Sequence, residues 1–316
     1  METGFAVRRG ALVLTASVLI PSGLAAGTAA AATNDYQYQR YLNPARTVVT
    51  DPAGRWLATF TDNARSVALT GPARRFAEST TTATVTSSTW VRLLASPFTG
   101  TVDTVWLSAR LADTSPDILA ISMQYIRGAP AITDGNGTVI AIDASYGPLQ
   151  PDGTRAEGSD FNDFLGVSWT YGATVDAPEP DQYQSLDCSG FVRMVWGYRG
   201  RLPLSLSTDG GTSLPRRSFQ MLDSAPGLVV IGNSGAQITT FTRLQSGDLV
   251  FFDASTDDGT QVDHVGMYLG LDSAGHHRFI SSRKTVDGPT LGDTGGKSLL
   301  DGTGYYASAF RATRRL

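Results

Sequence analysis

The sequence predicts an α+β fold for the second half of the chain, preceded by a smaller β-rich region. A helix is predicted at residues 188–198 because its apolar residues recur at helical spacing, at Phe191, Val192, Val195 and Trp196. Alternating apolar runs then predict strands at 247–252, 264–270 and 278–282, with a final run at 305–311. A helix followed by antiparallel strands is the α+β pattern.

Composition places the chain among folded proteins. Of its 316 residues, 41% are hydrophobic and 17% are charged, and the formal net charge is −4. Disordered chains have fewer apolar residues, and nucleic-acid-binding proteins carry a basic excess. We therefore expect a globular protein that does not bind nucleic acid and that is long enough for more than one domain.

The first 32 residues have the order of an export signal. Arg8 and Arg9 precede an apolar stretch at 11–20, and small residues follow at 25–32. This order predicts a signal peptide at residues 1–32, whereas a membrane anchor is the alternative. The apolar stretch is shorter than the ~20 residues of a membrane span. We expect a secreted protein, extracellular or associated with the cell wall, with no stable membrane anchor after cleavage.

Three regions are predicted after the signal. Residues 33–100 alternate apolar and polar residues between turns, which predicts a β-rich module. Residues 101–157 predict a connecting region of helices and loops, with a helix at 115–126 that begins with Ser115 as N-cap. Residues 158–316 contain the α+β domain.

Cys188 is the single cysteine and lies at the predicted start of the helix at 188–198. In an exported protein, an unpaired cysteine is either a small buried residue or a reactive thiol. The dipole and free N–H groups of a helix N-terminus favour the thiolate, and we expect them to lower the thiol pKa. The same N–H groups are suited to an oxyanion. The hypothesis for Cys188 is therefore a nucleophile.

A cysteine nucleophile needs a base, and His264 is the predicted one. It lies in an alternating segment that follows the strand at 247–252. His276 and His277 follow a turn predicted at 272–275, and we expect them to be exposed polar residues beside that turn.

Three segments together resemble the NlpC-type cell-wall cysteine endopeptidases: Asp-Cys-Ser-Gly-Phe-Val at 187–192, Gly-Asp-Leu-Val-Phe-Phe at 247–252, and Asp-His-Val-Gly-Met-Tyr-Leu-Gly at 263–270. The resemblance covers residues 158–316. It implies a papain-like fold, in which the helix bearing the cysteine packs on an antiparallel sheet. It also implies that Cys188 is the nucleophile, that His264 is the base, and that the substrate is a peptidoglycan stem peptide. The bond commonly cut joins γ-D-glutamate to the diamino acid.

The family usually has a third polar residue, often a histidine, on the strand after the base, and this chain has a serine there. The matching segment at 278–282 places Ser281 at that position. His277 lies on the same strand face as Ser281 and is the alternative for this role. A hairpin that turns at 272–275, however, pairs residue 270 with His277 and residue 266 with Ser281. At ~3.3 Å per residue, His277 then lies about 20 Å along the strand from His264, and Ser281 about 7 Å. Ser281, directly or through water, is the predicted orienting residue.

Four further residues are predicted to bind substrate. Trp169 falls where the family carries a tyrosine near its active site, and Tyr171 follows two residues on. A core role for both aromatics is an equal alternative. Asp187 and Ser189 flank the cysteine and are predicted to contact amine or amide groups, and Asp187 also suits a helix N-cap.

We therefore expect a cysteine peptidase that hydrolyses peptidoglycan peptides as a monomer, without a metal or other cofactor. One alternative is an amidase or acyltransferase that uses the same Cys–His pair on another amide. Another is a wall-binding protein with a weak or inactive peptidase domain. Under any of these hypotheses, the β-rich module is either a wall-binding domain that resembles bacterial Src-homology-type domains or a plain packing domain.

Overall fold

The computed structural model describes residues 35–209, 211–255 and 259–316. The predicted signal peptide at 1–32 lies outside the described residues. Residues 35–316 form one unit. None of the helices in the described ranges is long and apolar enough to cross a membrane.

A five-stranded antiparallel sheet opens the described chain, with its strands in sequence order. The strands are β1 (Gln37–Tyr41), β2 (Arg46–Thr50), β3 (Trp56–Thr61), β4 (Ser66–Phe76) and β5 (Val85–Leu93). Alternating residues such as Val49, Phe60 and Leu69 are buried, and they pack against Phe98 and Leu107 from the chain that follows. The β-rich character predicted for this region is confirmed.

Short elements connect this sheet to the rest of the chain. They are α1 (Thr104–Leu111), α2 (Ile118–Ser122), a 3₁₀ turn (Met123–Tyr125) and the hairpin of β6 (Ile132–Thr133) and β7 (Val139–Ala141). The start predicted at Ser115 is wrong, because Asp117 is the N-cap of α2. The Asp117 carboxylate accepts the N–H of Ala120 over 2.9 Å and pairs with Arg74 at 2.6 Å. This ion pair fixes the cap two residues later than the sequence predicts.

The next segment is mainly helical. It contains α3 (Phe161–Leu165), the hairpin of β8 (Trp169–Tyr171) and β9 (Thr174–Asp176), a 3₁₀ turn (Pro180–Gln182), α4 (Cys188–Val192), a π-helical stretch (Arg193–Arg199) and α5 (Ser218–Ser224). The helix predicted at 188–198 is present, although its second part is π-helical. All four residues that predicted it are buried.

The second sheet has six antiparallel strands in the order β10-β15-β11-β12-β13-β14. They are β10 (Leu228–Ile231), β11 (Leu249–Phe252), β12 (His264–Leu271), β13 (His277–Arg283), β14 (Gly288–Thr290) and β15 (Phe310–Arg315), with α6 (Tyr305–Ala309) before β15. The strand predicted at 305–311 is wrong in its first half, where α6 lies. Helix α4 packs on β12 and β13, and its Phe191 shares a core with Val265 and Met267. The mixed helix and sheet architecture is confirmed.

The two sheets are joined at the end of β15. The backbone oxygen of Leu316 accepts the N–H groups of Arg65 and Ser66, over 3.1 and 2.6 Å. Arg315 pairs with Asp248 at 2.7 Å and donates to the Thr61 hydroxyl over 2.8 Å. The β-rich region is therefore tied to the second sheet through both backbone and side-chain hydrogen bonds.

Candidate active site

Cys188 is the first residue of α4, and Asp187 is the N-cap of that helix. Asp187 Oδ1 accepts the N–H of Gly190 over 2.7 Å, which satisfies one of the free donors at the helix start. A Cβ at Gly190 would lie 2.1 Å from the backbone oxygen of Ser159. The first turn of α4 therefore packs closely against the preceding loop, which fixes the position of Cys188.

Cys188 faces the start of β12, where His264 lies. Its Sγ is 4.0 Å from the backbone oxygen of Asp263, and the backbone N–H of Val265 interacts with the sulfur. These two backbone groups flank His264 in the sequence. Cys188 is 8% exposed and His264 is 9% exposed. The structure thus brings Cys188 to the same junction of α4 and β12 as His264.

His264 Nε2 lies 3.0 Å from the hydroxyl oxygen of Ser281. Ser281 is on β13, one residue beyond the pair formed by Met267 and Ile280, and therefore lies opposite Gly266. A Cβ at Gly266 would lie 2.7 Å from the Ile280 backbone oxygen, so glycine permits the close approach of the two strands. With Nε2 held by Ser281, Nδ1 is the ring nitrogen left for the cysteine.

His277 lies away from this group. It is paired with Leu271 instead of the predicted Gly270, because a bulge between Tyr268 and Gly270 adds one residue to β12. Its Nδ1 is 2.7 Å from the Tyr268 hydroxyl, and its ring stacks on Phe241 with centroids 4.4 Å apart. The prediction that His277 is exposed is wrong, since these rings half-bury it.

Arg283 lies behind Ser281, and the sequence did not single it out. Its Nε donates to Ser281 Oγ over 3.0 Å, and its guanidinium lies 4.3 Å from the centroid of the Tyr306 ring. The Gly296 backbone oxygen and the Ser298 hydroxyl accept from its terminal nitrogens. It has no carboxylate partner among the described residues. No spacing pattern in a sequence marks such a buried, unpaired cation.

Burial favours the neutral form of both candidate reacting groups. It raises the pKa of the Cys188 thiol to about 12, and the negative charge of Asp187 adds to the rise. It lowers the pKa of His264 to about 3, and the charge of Arg283 acts in the same direction. The expected lowering of the thiol pKa is therefore wrong, because desolvation outweighs the N–H of Val265 and the charge of Arg216.

Arg216 forms hydrogen bonds with the side chains of Asp187 and Ser189. Its terminal nitrogens lie 2.7 Å from Asp187 Oδ2 and 2.6 Å from the Ser189 hydroxyl. Arg216 also donates to the backbone oxygen of Gly158 over 2.6 Å, and the Gly158 N–H reaches Asp187 over 3.1 Å. Asp187 and Ser189 are both buried. The structure thus gives these two predicted substrate-binding residues internal partners.

Trp169 and Tyr171 do not line the cavity beside His264. Trp169 packs edge-on against Phe161 with centroids 5.0 Å apart. The Tyr171 hydroxyl accepts a hydrogen bond from Arg193. Their contacts agree with the alternative of a core role, and their part in substrate binding stays a prediction.

His264 opens onto a cavity of about 520 Å³. Other residues that line it include Tyr146, Glu157, Asp263, Arg283, Lys284, Tyr305 and Tyr306.

Tyr146 is a second cavity residue that the sequence did not reveal. It is 4% exposed, and its hydroxyl has no hydrogen-bond partner among the described residues. Burial raises the pKa of Tyr146, and a negative charge on Cys188 would raise it further, so the group is a neutral phenol. It lies on a loop outside the three motifs, which is why their spacing gave no signal for it.

Comparison with known proteins identifies one family. Residues 166–288 match the model of the NlpC/P60 family. A solved Staphylococcus aureus subsp. aureus Mu50 protein, described as similar to lipoprotein of the NLP/P60 family, is 21% identical with a TM-score of 0.29. That similarity covers 66% of this chain and 46% of the other, so the chain spans under half of that protein's length. Comparison with curated proteins gives no match. The resemblance found in the sequence is therefore confirmed over residues 166–288, the segment that matches the NlpC/P60 family model.

Proposed function

We propose that this protein is a secreted cysteine peptidase that hydrolyses peptidoglycan stem peptides at the bond from γ-D-glutamate to the diamino acid. Cys188 is the nucleophile, His264 is the base and Ser281 orients the imidazole. The observation that carries the proposal is the 3.0 Å contact of His264 Nε2 with Ser281, at the strand end that also contacts Cys188. The packing of α4 on an antiparallel sheet supports a papain-like arrangement.

Because burial favours neutral thiol and imidazole, the proton transfer accompanies the attack of sulfur. The sulfur bonds to the carbonyl carbon, its proton passes to His264 Nδ1, and the carbonyl electrons move to oxygen. The proposed donors to that oxyanion are the Tyr146 hydroxyl and the N–H groups in the first turn of α4 other than that of Gly190, which Asp187 accepts. His264 then gives the proton to the leaving amine as the C–N bond breaks. Water, activated by His264, releases the acyl group and restores the thiol.

Secretion belongs to this proposal, supported by the charged, apolar and small-residue order at 1–32. We further propose a β-rich module at 33–100, a connecting region at 101–157 and a peptidase domain at 158–316. A monomer without a cofactor is sufficient for the chemistry above, since every proposed group comes from one chain.

The test is mass spectrometry of purified peptidoglycan digested by the mature protein beside Cys188→Ala. New stem-peptide fragments formed only by the native protein support the proposal, and their masses identify the bond. Absence of new fragments with either protein contradicts it.

A weak or inactive peptidase domain is the second candidate. The raised pKa of Cys188 and the lowered pKa of His264 favour it, because both oppose a preformed thiolate–imidazolium pair. The same digestion separates the two candidates when it is run alongside a binding assay with insoluble wall. Binding without fragments supports the second candidate.

A further inference from the structure

We propose that Glu157 and Lys284 select stem peptides that carry a carboxylate and an ammonium on opposite sides of the scissile bond. This assignment rests on the proposed function and adds the charge pattern of the substrate to it. Neither residue belongs to the three motifs that resemble the peptidase family.

The motif residues expected to bind charged substrate groups are already occupied. Asp187 is paired with Arg216 at 2.7 Å, and the Ser189 hydroxyl is held by the same guanidinium at 2.6 Å. Releasing Asp187 to bind substrate would leave a buried guanidinium with fewer partners, which is costly. Charged groups of a substrate therefore need other partners in the cavity.

Among the described residues, four charged ones line the cavity beside His264: Glu157, Asp263, Arg283 and Lys284. The Asp263 carboxylate accepts the N–H groups of Ala254 and Ser255. Arg283 is buried and donates to Ser281. Two of the four charges are thus held by internal hydrogen bonds, which leaves Glu157 and Lys284 as the exchangeable pair.

Glu157 and Lys284 form an ion pair of 2.7 Å, with side chains 56% and 47% exposed. Exposed ion pairs of this kind contribute little to stability, so a substrate with matching charges can replace the pair at small cost. Glu157 lies on the loop before α3, and Lys284 directly follows β13. The two charges therefore enter the cavity from two separate segments.

Glu157 also acts on the reacting sulfur. Its negative charge is one of the smaller contributions that raise the pKa of Cys188, after burial and Asp187. An ammonium bound to Glu157 compensates that charge. Lys284 already does this in the free protein, so exchanging Lys284 for a substrate ammonium keeps the compensation while it places the scissile bond.

The chemistry of stem peptides supplies the matching charges. A glutamate linked through its γ-carboxyl keeps a free α-carboxylate on the acyl side of the bond. The diamino acid keeps a side-chain ammonium on the leaving side, until cross-linking turns that amine into an amide. Carboxylate at Lys284 and ammonium at Glu157 thus describe a stem that is neither amidated at glutamate nor cross-linked.

The experiment compares kcat/KM for four synthetic peptides, L-Ala-γ-D-Glu-L-Lys-D-Ala and its versions blocked by side-chain acetylation of lysine, by α-carboxamide at glutamate, or by both. The mature protein, without residues 1–32, is compared with Glu157→Gln, Lys284→Gln and the double swap Glu157→Lys with Lys284→Glu. Asp181→Asn and Lys297→Gln serve as controls, because both side chains are exposed and neither lines the cavity.

We expect each single block to lower kcat/KM of the native protein about fivefold, the value of an exposed ion pair. Glu157→Gln should remove the penalty for lysine acetylation but keep the penalty for the carboxamide. Lys284→Gln should remove the penalty for the carboxamide but keep the penalty for acetylation. The double swap can still form an ion pair, but it should lose the preference for the free lysine amine and the preference for the free glutamate carboxylate. If the double swap keeps them, or if all four peptides react equally with the native protein, the pair is only structural and the inference is overturned. Failure of the native protein to cut any of the four overturns the peptidase function itself.

Discussion

Arg283 and His264 both contact the hydroxyl group of Ser281. Arg283 Nε and His264 Nε2 each lie 3.0 Å from its oxygen. A serine oxygen has two lone pairs and can accept from both groups at once. In that arrangement His264 carries its hydrogen on Nε2 and leaves Nδ1 free to accept a proton. Arg283 therefore influences the candidate base through both hydrogen bonding and charge.

Arg283→Met is expected to raise the pKa of His264. The guanidinium charge is the second cause that lowers this pKa, after burial, and methionine fills similar volume without charge. NMR titration of the histidine ring signals measures the change. His276 is an internal reference, since it is exposed and its pKa is raised by Asp301. An unchanged His264 titration would show that Arg283 has no electrostatic role.

Ser281→Ala is expected to lower kcat/KM on stem peptides by about 10- to 100-fold, by analogy with the loss of groups that orient metal-bound histidines. It should also cost about 1–3 kcal/mol in the free energy of unfolding, because Arg283 Nε loses its acceptor in a buried site. Kinetics and urea unfolding measure the two effects. A variant that combines Ser281→Ala with Arg283→Met should recover part of the stability but not the activity.

Alkylation of Cys188 by iodoacetamide is expected to be slow at pH 7 and to accelerate about tenfold per pH unit into the alkaline range. The thiolate is the reacting form, and the pKa of about 12 keeps its fraction small at neutral pH. Intact-mass measurements give the rate without interference, since the chain has one cysteine. A rate that levels off between pH 6 and 8 would instead show a preformed thiolate.

His264 is expected to make the protein lose stability as pH falls from about 6.5 towards 3. The folded pKa is lowered to about 3, so in this window the unfolded chain binds a proton that the folded protein does not. The stabilising effect is complete above pH 6.5. Urea unfolding at pH 7.5, 6, 5 and 4 should show a weaker pH dependence for His264→Gln. Identical slopes for the two proteins would contradict the lowered pKa.

Arg216→Ala is expected to destabilise the fold by about 3–5 kcal/mol, because it leaves the buried carboxylate of Asp187 without its cation. The neighbouring Arg217→Ala is the matched control. Its side chain is exposed, and its loss should change the free energy of unfolding by less than about 0.5 kcal/mol. Equal changes in the free energy of unfolding for the two substitutions would show that the Arg216 contacts do not stabilise the fold.

The positions of Cys188, His264 and Ser281 were predictable because short-range patterns encode them. Asp187 is a good cap, the following apolar spacing is helical, and strand parity places Ser281 near His264. Arg283 could not be predicted in the same way, since its contacts depend on the chain at 296–306 folding over it.

Two errors have physical causes that lie outside local patterns. The bulge in β12, beside Gly270, moved the partner of His277 by one residue. A glycine within a strand signals a bulge, but Gly266 and Gly270 both lie in this strand and the signal does not choose between them. The thiol pKa moved in the opposite direction from the prediction because burial by distant segments outweighs the helix terminus. Tyr146 and Arg216 were missed because the chain brings them to the site from well outside the motifs.

The hydrogen bonds of Leu316 and Arg315 to β3, β4 and the turn between them make the first sheet part of the framework that supports the candidate site. Without residues 35–100, the Leu316 backbone oxygen loses two donors and Arg315 loses the Thr61 hydroxyl. A hinge motion between the sheets would break the same bonds. Any ligand bound to the first sheet would therefore lie at one fixed distance and direction from Cys188.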